Sequence, residues 1–129
     1  MFKTVSRLVI VSTLMVTATP AFSGQATQIF FCQQDEKATD AQVEALASEW
    51  LRAAKGVKGG EQLEAYLRFP IAANAGETDF AFALVAPSFQ EWGAFTDNYE
   101  GSPAQELDEK LNELADCTHS TIWEAFKVE

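Results

Sequence analysis

The stretch "DFAFALVAPSFQEWGAF" (residues 79–95) decides the fold, because it holds a strand, its stop and the start of a helix. Phe80, Phe82 and Leu84 alternate with Ala81, Ala83 and Val85, so both faces of the run are apolar. That is the pattern of a central strand covered on both sides. Pro87 and Ser88 end it, and Ser88 with Glu91 has the spacing of a capping box. Trp92, Phe95 and Tyr99 then fall at i, i+3 and i+7, one face of a short helix. Such a concentration of rings is either core or the wall of a binding site, and the rest of the chain bears on which.

Upstream, "EAYLRFPIAANAG" (64–76) alternates, with Leu67, Phe69 and Ile71 on one side and Tyr66 and Arg68 on the other. Pro70 cannot donate to a ladder, so this strand belongs at a sheet edge. The run Asn74 to Glu77 is turn chemistry. Further back, Thr39 and Gln42 form a capping box at the head of a helix. Its buried stripe is Val43, Leu46, Ala47, Trp50, Leu51 and Ala54, and Gly56, Gly59 and Gly60 end it. "ATQIFFCQQ" (26–34), β-branched and aromatic, reads as the first strand. Downstream, Gly101 stops the short helix. Ser102, Pro103 and Gln105 then open a third helix with the stripe Ala104, Leu107, Leu111 and Leu114. "CTHSTIWEAFKV" (117–128) closes the chain as a strand.

The order is strand, helix, strand, strand, helix pair, strand. A βαββαβ chain with right-handed crossovers has few compact solutions. The prediction is an α+β, ferredoxin-like fold: a four-stranded antiparallel sheet in order 4-1-3-2 with its helices on one face. The Pro-containing strand then lies at an edge and the doubly apolar strand in the middle. Strands one and four become antiparallel neighbours, which brings Cys32 to Cys117 for a disulfide. In that pairing Phe30 lies opposite His119. A single sheet of this kind leaves its second face open, and here that face still carries apolar residues. The expected cover is a second copy, so the aromatic run is core on one side and a dimer or cavity wall on the other.

The opening residues, "MFKTVSRLVIVSTLMVTATPAFSGQ", have the order of a secretory signal: Lys3 and Arg7, an apolar run from Leu8 to Val16, and Ala21-Phe22-Ser23 as a cleavage site. The apolar run is too short to span a bilayer. The reading is a signal peptide over 1–23 and one domain over 24–129, exported to a periplasm or the extracellular space. That compartment favours the disulfide. The whole chain has 9 basic and 19 acidic residues and a net charge of −10. Loss of Lys3 and Arg7 with the signal makes the mature chain more acidic still. Such a surface repels nucleic-acid phosphates and anionic lipid, so neither nucleic acid nor, for the mature form, membrane is an expected partner.

With these elements placed, "DFAFALVAPSFQEWGAF…DNYEG" and "DCTHSTIWEAFKV" resemble the dimeric α+β-barrel superfamily, ferredoxin-like subunits that pair sheet to sheet around a shared cavity. Within it they look like small exported bacterial proteins of unknown function. The resemblance implies a homodimer. The superfamily that the chain resembles also includes cofactor-free monooxygenases of the antibiotic-biosynthesis type, haem-degrading or haem-peroxidising enzymes, and stress-response proteins. The monooxygenase-like members carry a His on the helix after strand three, where this chain has Asp97, Asn98 and Tyr99. The haem members need an axial His in the cavity, and the one His here is His119 on strand four.

Candidate residues follow. His119 is the sole imidazole and so the default general acid–base, although a His beside aromatics on a strand is ordinary packing. Cys32, Cys117 and His119 would make a soft metal set only if the thiols stayed reduced, so no metal and no cofactor is expected. Tyr66 and Arg68, with Phe80, Phe82 and Trp123, are the ligand-binding candidates for a small hydrophobic or anionic molecule. Trp50, Trp92, Phe95 and Tyr99 keep helical spacing and read as helix–sheet core. Glu106, Asp108, Glu109, Glu113 and Asp116 lie off the leucine stripe and read as a solvated face. Taken together, the sequence describes a ligand-binding or protein-interaction module. The alternatives are a cofactor-free oxygenase or isomerase using His119, Tyr66 and Arg68, and metal or haem handling through His119.

Overall fold

The computed structural model describes residues 24–72 and 78–129; the expected signal peptide and the turn at 74–77 lie outside the described residues. Seven elements follow in order: β1 (Gln25–Gln34), α1 (Asp40–Ala54), β2 (Glu64–Arg68), β3 (Phe80–Ala86), α2 (Phe89–Asp97), α3 (Pro103–Leu114) and β4 (Ala115–Ala125). The sheet runs β2-β3-β1-β4, the predicted order read from its other edge, and every pairing is antiparallel.

Local chemistry places the elements. Thr39 accepts from the Gln42 backbone N–H while the Gln42 side chain accepts from Thr39 N–H at 2.8 Å, a closed capping box. Ser88 and Ser102 each accept from the amide three residues on, and Pro103 opens α3. β2 is an edge strand as expected, but it ends at Arg68 and does not take in Phe69 and Ile71. Pro70 supplies no N–H to prolong the ladder. β4 starts at Ala115, directly from the last turn of α3, because that cap residue is already extended. Gly59 adopts φ +88, and a Cβ there would meet the Phe95 nitrogen at 2.4 Å. A glycine is therefore required where the chain after α1 presses on α2.

The register sorts side chains onto two faces. One face carries three rows across the sheet in the order β2, β3, β1, β4: Tyr66–Ala83–Ile29–Thr121, Arg68–Ala81–Phe31–His119 and Glu64–Val85–Thr27–Trp123. Among the described residues no helix covers this open face. The other carries Leu67–Phe82–Phe30–Ser120 and Ala65–Leu84–Gln28–Ile122, and it is the face under the helices. There Trp50 of α1, 3% exposed, meets the Phe82 ring edge-on at 5.5 Å. The main core joins Trp50, Ala54, Val57, Leu63, Leu84 and Phe95.

Cys32 and Cys117 form the expected disulfide, and a second buried cluster of Cys32, Val43, Phe80 and Ala115 surrounds it. The expected partner of His119 needs correction. Phe31, not Phe30, stands opposite it, with ring centroids 4.9 Å apart. The cause is a bulge: the β1–β4 register slips between Phe31 and Gln33, so one extra β4 residue is taken up beside Cys32. Cys117 thereby reaches Cys32 on the helix side, and His119 is left on the open face.

Candidate functional site

A cavity of about 360 Å³ lies between the helices and the sheet. Its floor is Phe30, Phe80, Phe82 and Leu84, with the Cys32–Cys117 bridge at one side. Val43, Ala47 and Trp50 of α1 form the roof, and Trp92 and Phe95 of α2 with Leu111 and Leu114 of α3 form the walls. The hollow has a packing cause. α3 packs chiefly against α1 and hardly touches β4, so Ser120 and Ile122 on the helix side of β4 remain exposed. Thr96, Asn112 and Cys117 are the exposed members of the lining, so the chamber meets solvent beside α3.

Its polar groups gather around Tyr99, in the turn after α2. The Tyr99 hydroxyl accepts from the Trp50 indole N–H at 3.0 Å and donates to the Ala104 carbonyl at 3.4 Å, with the Asp108 carboxylate as a second acceptor. Burial pushes the Tyr99 phenol up to about 12, so it stays a neutral donor. Burial also raises the Asp108 carboxyl above the ordinary carboxylate range; the Tyr99 hydrogen bond works against that rise and Glu109 adds to it. Beside this group, the Trp92 indole donates to Gln28 Oε1 at 3.2 Å, and Gln28 Nε2 donates to Ser120 at 3.4 Å.

The ligand-binding candidates divide between the two faces. Phe80 and Phe82 line the cavity, which answers the question of which way the aromatic strand looks. Tyr66, Arg68 and Trp123 stand on the open face. Trp123 is 59% exposed there and donates to Thr121, while Tyr66, 47% exposed, donates to Glu64, which holds its phenol above the usual value. Arg68 and His119 occupy the two ends of one row, three strand spacings or about 14 Å apart, too far to act on one small substrate within a single chain. The soft metal set loses both sulfurs, since Cys32 and Cys117 are bonded to each other.

One reading of the helices holds and one changes. Trp50, Trp92, Phe95 and Tyr99 are core, and all four also line the cavity. Asp108 does not belong to the solvated face with its acidic neighbours; it is half-buried against Tyr99. A signal for it exists in the sequence: Ala104, Asp108 and Leu111 fall at i, i+4 and i+7, at the margin of the buried stripe.

No family model matches this chain, and no curated protein does. Solved structures do. A dimeric ferredoxin-like protein of unknown function from Thermobifida fusca YX superposes with a TM-score of 0.50 at 14% identity, covering 83% of this chain and 95% of that one. A dimeric protein of unknown function and ferredoxin-like fold from Bacteroides fragilis NCTC 9343 gives 0.49 at 9% identity, covering 81% and 99%. The fold is ferredoxin-like, consistent with the dimeric α+β-barrel resemblance of the sequence.

Proposed function

We propose that this chain is an exported small-ligand-binding module that works as a homodimer. The ligand occupies the chamber between helices and sheet, and the open sheet face lies against a second copy. The chamber is the observation that carries the reading. Its volume falls in the range of small-molecule sites, and its apolar walls converge on a few fixed polar groups at Tyr99. The homodimer is supported by the open face, where Ile29, Phe31, Ala83 and Val85 lie side by side in the sheet centre. The dimeric state of the ferredoxin-like neighbours accords with it. Export is supported by the signal-like residues 1–23 and by the disulfide.

The test uses the neutral, environment-sensitive fluorophore 6-propionyl-2-(dimethylamino)naphthalene with protein recovered from a bacterial periplasm. Saturable binding with a blue-shifted emission is expected, together with loss of binding in Ala47→Phe, which fills the chamber from its roof. Binding that survives this substitution would place the probe elsewhere and sink the reading.

A further inference from the structure

Resting on the ligand-binding reading above, we propose that the chamber selects a hydrophobic organic cation: an ammonium group held at Asp108 and Tyr99, carried on an aromatic or alicyclic body that lies among the rings. Charge is the first reason. Among the described residues that line the cavity, Asp108 is the one that carries a charge at neutral pH, and Lys, Arg and His are not represented. A carboxylate or phosphate ligand would meet a like charge with no counter-ion, in surroundings where that repulsion is weakly screened.

Hydrogen-bond supply is the second reason. The two indole N–H donors of the lining are already spent, Trp50 on Tyr99 and Trp92 on Gln28, and the Thr96 hydroxyl donates to the Trp92 carbonyl. The Asp108 carboxylate is acceptor-only when ionised, and it takes at most one proton from Tyr99. The Gln28 amide is spent on Ser120, which leaves the Asn112 amide at the solvent-exposed mouth as the remaining side-chain amide donor of the lining, whereas an ammonium brings several donors of its own to the carboxylate. A neutral apolar ligand would cover the carboxylate without replacing its water. Third, the rings of Trp50 and Phe95 lie against Tyr99, the partner of Asp108, and Trp92 lines the same cavity; aromatic rings attract a desolvated cation. The net charge of −10 draws cations toward the whole surface.

Three probes of one shape separate these effects: naphthalen-2-ylmethylammonium, naphthalen-2-ylmethanol and 2-naphthoate, titrated calorimetrically at pH 7 into the disulfide-intact protein. The ammonium is expected to bind at least about tenfold tighter than the alcohol, and the carboxylate weakest of the three. In Asp108→Asn, with its fold checked by melting, the ammonium's advantage should fall to within about threefold while the alcohol's affinity is kept. Should that variant not fold, a salt series on the native chain replaces it, and only the ammonium should weaken as salt rises. Naphthoate binding as tightly as the ammonium overturns the proposal, as does a preference that survives Asp108→Asn or a salt-independent ammonium affinity. Equal binding of ammonium and alcohol also overturns it, yet leaves the ligand-binding reading in place. Failure of all three to bind below about 1 mM removes both.

Discussion

The Trp50 indole donates to the Tyr99 hydroxyl across 3.0 Å, tying α1 to the turn that follows α2. The same indole lies edge-on to Phe82 of the sheet at 5.5 Å and to Phe95 of α2 at 6.2 Å. One side chain thus joins the sheet and two elements of the helical layer while forming part of the chamber's roof. Its buried N–H needs an acceptor, and Tyr99 supplies it.

Tyr99→Phe removes that acceptor and leaves the Trp50 N–H buried without a partner. The expected loss is about 1–2 kcal/mol, measured by urea denaturation monitored through Trp fluorescence. No measurable loss would mean that water reaches the indole in place of the hydroxyl.

Asp108 sets a pH dependence of the opposite sign from that of a salt-bridged carboxylate. Its folded pKa is raised, so the native chain holds this proton more tightly than the unfolded chain does. The contribution is fully present below the unfolded value and is lost as pH rises through the folded one. Asp108→Asn, which cannot ionise, should therefore melt above the native chain at pH 7. The group is only half-buried, so solvent screening keeps the gain small, and it should vanish once pH falls below about 4, where the unfolded carboxyl is also protonated. Scanning calorimetry at the two pH values reads it directly; a variant less stable at pH 7 contradicts the account.

The Cys32–Cys117 bridge spans 85 residues of sequence. In the chain-entropy model a loop of that size contributes roughly 4 kcal/mol. Cys32→Ser and Cys117→Ser should each lose about that amount, and the double variant should lose no more than either, because both break one bond. Additive losses in equilibrium denaturation would show that each sulfur stabilises the fold separately.

Gly59→Ala tests the close approach of the segment after α1 to α2. Its φ of +88 disfavours an L side chain, and the added Cβ would meet the Phe95 nitrogen at 2.4 Å and the Glu91 oxygen at 2.6 Å. A loss of at least about 2 kcal/mol is expected from denaturant melts, since strain and displacement of α2 add.

Ile29 stands in the row Tyr66–Ala83–Ile29–Thr121 at the centre of the open face. Ile29→Glu should convert a dimer to a folded monomer in sedimentation, with the far-ultraviolet spectrum unchanged, because a charge cannot be covered there by a second copy without a partner. A native chain that sediments as a monomer at tens of micromolar would refute the pairing.

Much of the fold was legible in short stretches. The strand at 80–86, the helix capped by Thr39 and the edge position of β2, the strand ahead of Pro70, all follow from periodicity, caps and the missing proline N–H. The pairing of Cys32 with Cys117 followed from the topology those elements imply. The site was less legible. Phe80 and Phe82 were singled out in the sequence, but Tyr66, Arg68 and Trp123 proved to lie on the opposite face, and Asp108 looked like one more surface acid.

By itself the sequence determined the elements, their order and the apolar character of both faces of β3. These depend on contacts within a turn of helix or along one strand, where spacing alone dictates what each side chain can reach. Tertiary structure decided which face of that strand looks into the chamber, which residue opposes His119 and what surrounds Asp108. The first is set by where the helices cross the sheet, the second by a one-residue bulge, and the third by the lean of α3 onto α1. Each is a relation between segments far apart in the chain, and so is fixed only when the layers pack together.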